Sequence, residues 1–149
     1  MTVLKHKDFN KEFLLHTNTE PPTRLVNNFF DELSNIDESL IEYYKKLKFN
    51  KSVSFLLECD NEMIGYAKLV DNHNYFLLSE IFILKDFREL GLGSFMLYSI
   101  RNYVQDLKIQ LRTVTLPSDR QAKNFYEANG ITARILLMEE KREKNRIRP

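Results

Sequence analysis

Glu80 is the one carboxylate in the apolar run that opens the stretch SEIFILKDFRELGLGSF, Ser79 to Phe95, and it stands shortly before a turn carrying Arg88, Gly91 and Gly93. Alternate residues of a strand share a face, which groups Glu80 with Leu78, Phe82 and Leu84. Partial burial raises a carboxyl's pKa and makes it a better proton acceptor near neutral pH. The plainer alternative is a glutamate on a solvated patch, or one paired with a surface lysine. The two glycines let the backbone approach a ligand closely. The first N–H groups of the following helix, with its dipole, then form an anion site suited to a phosphate or pyrophosphate. Arg88 could add a charge-assisted contact. Two familiar phosphate loops do not fit, because Met96 stands where a dinucleotide fingerprint needs its third glycine and no Lys-Ser/Thr pair follows the turn. Read alone, the glycines could also merely turn the chain.

The elements that must position these residues are legible in outline. EFLLH suggests a first strand. In EPPTRLVNNFFDELSNI the prolines suit a first helical turn, and Leu25, Val26, Phe29, Phe30 and Leu33 follow at helical spacing. A second short helix carries Leu40, Ile41, Tyr44 and Leu47. SVSFLLECDNEMIGYAKLV reads as a hairpin turning at CDNE, and HNYFLLSEIFIL as a further strand. From Gly93 to about Leu107 the period is helical, with Met96, Leu97, Ile100, Val104 and Leu107 as the stripe. RTVTL is a short strand. SDRQAKNFYEANG is a helix, with Ser118 and Gln121 as a capping box and Asn129-Gly130 as a left-handed stop. ITARILLMEE completes the sheet as a strand or two. This order describes a single mixed α/β domain on one sheet, residues 1–149, with a charged tail over 140–149.

The totals narrow the function classes. A chain of 149 residues with 43% hydrophobic and 29% charged residues is one ordinary globular domain. A net charge of +1 gives no call for a nucleic-acid partner or an anionic membrane. Cys59 is the single cysteine, which excludes an intrachain disulfide and suits a reducing compartment. No leader-like apolar core or membrane-length run is present, so a cytoplasmic protein is expected. His6, His16 and His73 lack metal spacing, and no metal is expected. The tail KREKNRIRP reads as a solvated terminus.

Taken together, IFILKDFRELGLG and DRQAKNFYEANG resemble the GNAT superfamily of acetyl-CoA-dependent N-acetyltransferases. Arg88, Gly91 and Gly93 meet the family's pyrophosphate signature, Q/R-x-x-G-x-G/A after an apolar strand. Ala122, Phe125, Tyr126 and Gly130 meet its second signature, in which Asp119 stands where asparagine is frequent. Glu89 is another departure, since a carboxylate beside a pyrophosphate is unfavourable unless it points to solvent. Ile131 replaces a usual phenylalanine, and the short segment after Gly130 suggests a clipped last hairpin.

The resemblance implies a GNAT fold, a mostly antiparallel sheet splayed at a cofactor slot with flanking helices. It implies that Ile81, Phe82 and Ile83 offer free backbone groups to the pantetheine arm of acetyl-CoA, with the Ile83 N–H near the thioester carbonyl. Arg88, Glu89, Leu90, Gly91, Leu92, Gly93 and Ser94 would surround the pyrophosphate. Glu80 would accept the amine's proton, directly or through a water, and Tyr126 would donate to the departing thiolate. The acceptor would be a small-molecule amine or a protein or peptide amine. An acidic wall of Asp31, Glu32, Asp37, Glu38 and Glu42 hints at a cationic one, such as a polyamine, lysine or aminoglycoside. Homodimers are common among similar proteins. A non-catalytic acyl-CoA-binding or regulatory module with the same slot is the rival reading.

Overall fold

The computed structural model describes residues 3–48 and 51–140. Six strands form one sheet in the order β1-β2-β3-β4-β5-β6, antiparallel except for the last pair. β1 (Val3–Asp8) and β2 (Lys11–Thr17) make a hairpin whose tip, Phe9 and Asn10, takes φ of +53° and +58°. Two consecutive left-handed residues match the twist of the flanking strands. β1 is an addition to the single strand expected here. It has no buried residue, so no apolar alternation announces it.

Two helices follow, α1 (Thr23–Ile36) and α2 (Ser39–Lys45), then β3 (Lys51–Cys59) and β4 (Glu62–Asp71), joined by Asp60 and Asn61 at φ of +50° and +64°. β5 (Tyr75–Ile83) runs antiparallel to β4 and leads through a short 3-10 turn, Lys85–Phe87, into α3 (Leu92–Asp106). α3 is the crossover to β6 (Gln110–Thr113), parallel to β5, and α4 (Arg120–Ala128) comes last. Among the described residues no helix is long and apolar enough to cross a membrane.

The sheet is covered on both faces. On one, Phe13, Leu15, Phe55, Leu57, Leu69 and Leu78 meet Leu92, Met96, Leu97 and Ile100 of α3, and Tyr126 of α4. On the other, Leu56, Tyr66 and Phe82 meet Leu25 of α1. Leu107 falls outside the α3 stripe: the helix ends at Asp106 and the leucine is exposed.

Three further expectations need correction. The cap of α4 is Asp119 rather than Ser118, its carboxylate accepting the Ala122 N–H at 3.1 Å. The span 131–140 forms no strand. Its β-rich centre is exposed, with Ile135 85% and Met138 82% accessible, because beyond Ile131 the segment leaves the body of the domain. The tail beyond Glu140 lies outside the described residues. Finally, Glu80 and Leu78 do not share a face. The β4–β5 ladder slips between Lys68 and Leu69, pairing Lys68 with Glu80 but Leu69 with Leu78. This bulge at Ser79 inverts the alternation, so Leu78 joins the α3 side and Phe82 the α1 side.

Candidate active site

β5 and β6 are paired only from Tyr75–Leu78 against Gln110–Thr113. Beyond Leu78, no strand lies beside the outer edge of β5 among the described residues. The ladder to β4 fixes which backbone groups this edge presents. The Leu84 N–H donates across to Ile64 O at 2.9 Å, so Leu84 faces β4. By alternation Ile81 and Ile83 turn their N–H and C=O groups outward. The Ile83 carbonyl confirms the direction, since it accepts Arg88 Nε at 2.7 Å from the open side.

The turn after β5 closes one end of this opening. Gly91 is the N-cap of α3 at φ +78°, and a Cβ there would meet nothing within 4 Å, so its backbone angle alone favours glycine. The first helical bond is Phe95 N–H to Gly91 O, 3.1 Å, which leaves the N–H groups of Leu92, Gly93 and Ser94 without intrahelical acceptors. Gly93 serves proximity instead. A Cβ would lie 2.9 Å from Phe125 Cε1, so the glycine lets α4 press against the start of α3. Glu89 is exposed at φ +64°.

A cavity of about 610 Å³ fills the opening. Ile81, Phe82 and Ile83 line it from β5, and Asp119 and Tyr126 from α4 and its cap. Arg88, Glu89, Gly91, Leu92, Gly93 and Ser94 line it from the turn and α3. Leu90 and Glu80 are not in the lining; Leu90 packs against the core on the α3 side. From α1 the lining also includes Phe29, Leu33 and Ile36, and from the turn Phe87, none of which the sequence singled out for the site. Their apolar spacing fits core packing equally well and so carried no signal for a site. Of the proposed acidic wall only Glu32 reaches the cavity. Asp31, Asp37, Glu38 and Glu42 are exposed, and the Asp37 carboxylate accepts the Ser39 N–H at 2.8 Å.

Arg88 faces α1 as much as the turn. Its guanidinium sits over the Phe82 ring, 5.3 Å from the centroid, and donates to Glu32 Oε2 at 2.6 Å as well as to Ile83 O. It thus ties helix, strand end and turn together around the cavity.

Tyr126 lies at the fork where the strands separate. Its phenol shares a hydrogen bond with Thr113, whose own Oγ1 donates to Leu78 O at 2.9 Å, the last paired position of β5. Burial, opposed in part by Thr113 and reinforced by Asp119, raises the phenol's pKa and keeps it protonated. Glu80 sits on the α1 face of β5, 8% exposed. The Tyr66 hydroxyl donates to its Oε1 at 2.7 Å, and Lys68 Nζ lies 3.9 Å from Oε2. Burial raises the Glu80 pKa, the Tyr66 bond and Lys68 lower it, and Glu20 raises it again. Among the described residues no His/Cys/Asp/Glu group is arranged to hold a metal.

The geometry has relatives. A model of the acetyltransferase (GNAT) domain matches residues 24–148. No curated protein matches the chain. Among solved structures, the aminoglycoside acetyltransferase AAC(6')-Iy bound to the bisubstrate analogue CoA-S-monomethyl-acetylneamine is similar at 19% identity and TM-score 0.58, over 85% of this chain and 98% of that one. A GNAT family acetyltransferase from Streptococcus pneumoniae TIGR4 is similar at 14% identity and TM-score 0.59, over 88% and 99%. The aminoglycoside 6'-N-acetyltransferase AAC(6')-IG from Acinetobacter haemolyticus is similar at 10% identity and TM-score 0.58, over 87% and 99%. At these identities the likeness establishes the fold, a mixed α+β sheet flanked by helices. With the family match spanning most of its length, the chain belongs to the GNAT acetyltransferases.

Proposed function

We propose that this protein transfers an acetyl group from acetyl-CoA to a primary amine, by direct attack in a ternary complex. The observation that carries the reading is the open edge of β5. Outward backbone groups of Ile81 and Ile83 run toward a helix start whose N–H groups lack internal partners, with a protonated phenol at the fork. An extended amide-bearing arm adds to such an edge as a strand would. A diphosphate suits the N–H groups of Leu92, Gly93 and Ser94. The bisubstrate and CoA complexes of similar folds support acetyl-CoA as donor.

In this reading the nitrogen lone pair forms a bond to the thioester carbon, and the C–S bond breaks as the thiolate leaves. The Ile83 N–H faces the developing oxyanion. Glu80 takes the ammonium proton, through water, since it lies outside the cavity lining. Tyr126 supplies a proton to the thiolate. The acceptor in this reading is a small-molecule or a peptide amine; Glu32, the carboxylate on the α1 side, is already paired with Arg88. Positioning and backbone electrostatics supply most of the acceleration.

The seclusion of Glu80 favours one rival, a module that binds acyl-CoA without turnover. Thiol release from acetyl-CoA in the presence of spermidine, lysine, kanamycin and an N-terminal peptide separates the two. Amine-dependent release supports transfer. Thermal stabilisation by CoA with no release from any amine supports the binding module.

A further inference from the structure

The mechanism proposed above leaves unused a buried phenol that touches its base. Tyr66 of β4 is 0% exposed. It pairs across the ladder with Phe82, and its ring packs at 6.4 Å against Phe82 and edge-on at 6.3 Å against Phe29 of α1. An apolar layer of this kind accommodates phenylalanine as well as tyrosine, so the hydroxyl calls for its own explanation. It donates to Glu80 Oε1 at 2.7 Å in a fully buried hydrogen bond.

We propose that Tyr66 is the positioning residue for Glu80, holding Oε1 so that Oε2 is the oxygen that receives the substrate proton. The claim rests on the transferase reading and extends it. A phenol so enclosed stays protonated: burial and the adjacent carboxylate both raise its pKa. It therefore acts as a donor, fixing the carboxylate's rotation about its terminal bond and stabilising the ionised form. Lys68, at 3.9 Å and about a third exposed, is a looser partner on the Oε2 side. The bulge at Ser79 is what makes the contact. It turns Glu80 onto the face of Tyr66, Lys68 and Phe82, where regular alternation would have placed Leu78. The other groups facing Glu80 are Glu20, ahead of α1, and Tyr44 of α2. The Tyr44 hydroxyl is turned to Val114 O, at 3.5 Å.

The test follows the Glu80 carboxyl itself and the pH profile of turnover. The protein is labelled with 13C at glutamate Cδ, and the Glu80 resonance is assigned by its loss in Glu80→Gln. Its titration is compared in wild type, Tyr66→Phe and Lys68→Met. The tyrosine variant is expected to move the midpoint upward by about one to two pH units, the scale of one charge-assisted hydrogen bond. Lys68→Met is expected to move it less. The acidic limb of kcat/KM, measured by thiol release with the best of the four amine probes, should rise in step with the Tyr66→Phe midpoint. An unchanged midpoint overturns the proposal. So does a shifted midpoint beside an unmoved acidic limb, since the bond would then be structural only. If none of the four amines makes wild type release thiol, the transferase reading falls and takes this role with it. An active wild type whose limb ignores Tyr66→Phe removes the Tyr66 role alone.

Discussion

At the scale of single residues the proposed reaction divides the site into groups acting by charge and groups acting by backbone. Glu80 and Tyr126 belong to the first kind. General acid–base contributions of this type run to about 10²–10⁴-fold. Glu80→Gln and Tyr126→Phe are therefore each expected to lower kcat by roughly 10²-fold or more. CoA binding, followed by the thermal shift it produces, should stay close to wild type in Glu80→Gln, because Glu80 is outside the cavity lining. Burial of Glu80 also sets a stability cost of known sign. Its folded pKa is raised, so the folded state holds the proton more firmly than the unfolded state. Stability then falls as pH rises from the unfolded to the folded value, and the loss persists above it. Thermal unfolding should show Glu80→Gln melting above wild type at pH 8, the gap closing as the pH is lowered toward the unfolded carboxyl range. A gap of the same size at every pH would show that its ionisation is not what costs stability. That Arg88, Gly91, Gly93 and Tyr126 would meet at one cavity was legible from their types and spacing. The partner of Glu80 was not, since Tyr66 meets it across a bulge that no local pattern encodes.

At the scale of elements, the helix start of α3 depends on two glycines for different reasons. Gly91 needs its left-handed angle, and Gly93 needs the space that Phe125 fills. Gly91→Ala is expected to cost about 1–2 kcal/mol of folding stability from backbone strain. Gly93→Ala must push the Phe125 ring and with it the cavity wall of α4. It should weaken CoA affinity by calorimetry more than it lowers the melting temperature, whereas Gly91→Ala should do both. The reverse ranking would mean that the turn, and not the α3–α4 contact, governs the proposed CoA contact. Elements were legible where burial follows the pattern, one apolar face in α1 and α3 and continuous apolar runs in β3 and β4. They were misread where burial departs from pattern. β1 is charged and exposed and so carried no strand signal, while Arg134 to Met138 carries a strong one without a sheet edge beneath it. The cap of α4 was misplaced by one residue because Ser118 and Asp119 are both good capping types, and only geometry chooses between them.

At the scale of the whole molecule, the sheet is clamped between α1 on one face and α3 with α4 on the other, and the slot opens at the edge of β5 beyond its pairing with β6. Arg88 spans that opening, bonded to Glu32 of α1 and to the end of β5. Stability should accordingly be concentrated in the α3 face and absent from the exposed segment beyond Ile131. Ile100 is 0% exposed within the main core, whereas Ile135 is 85% exposed. Ile100→Ala removes buried methyl groups and leaves a cavity, and is expected to cost about 2–5 kcal/mol, a fall in Tm on the order of 10 °C for a domain of this size. Ile135→Ser, a larger change in polarity, should stay within about 0.5 kcal/mol of wild type. Paired thermal melts at one protein concentration decide the matter. If Ile135→Ser proves as costly as Ile100→Ala, then Ile135 is buried in solution against some surface, and the apolar run from Ile135 to Met138 contributes to the core in a way its exposure here does not show. If both melt as expected, the slot stands on the sheet and the helices α1, α3 and α4 packed on it, with the final segment energetically separate from them.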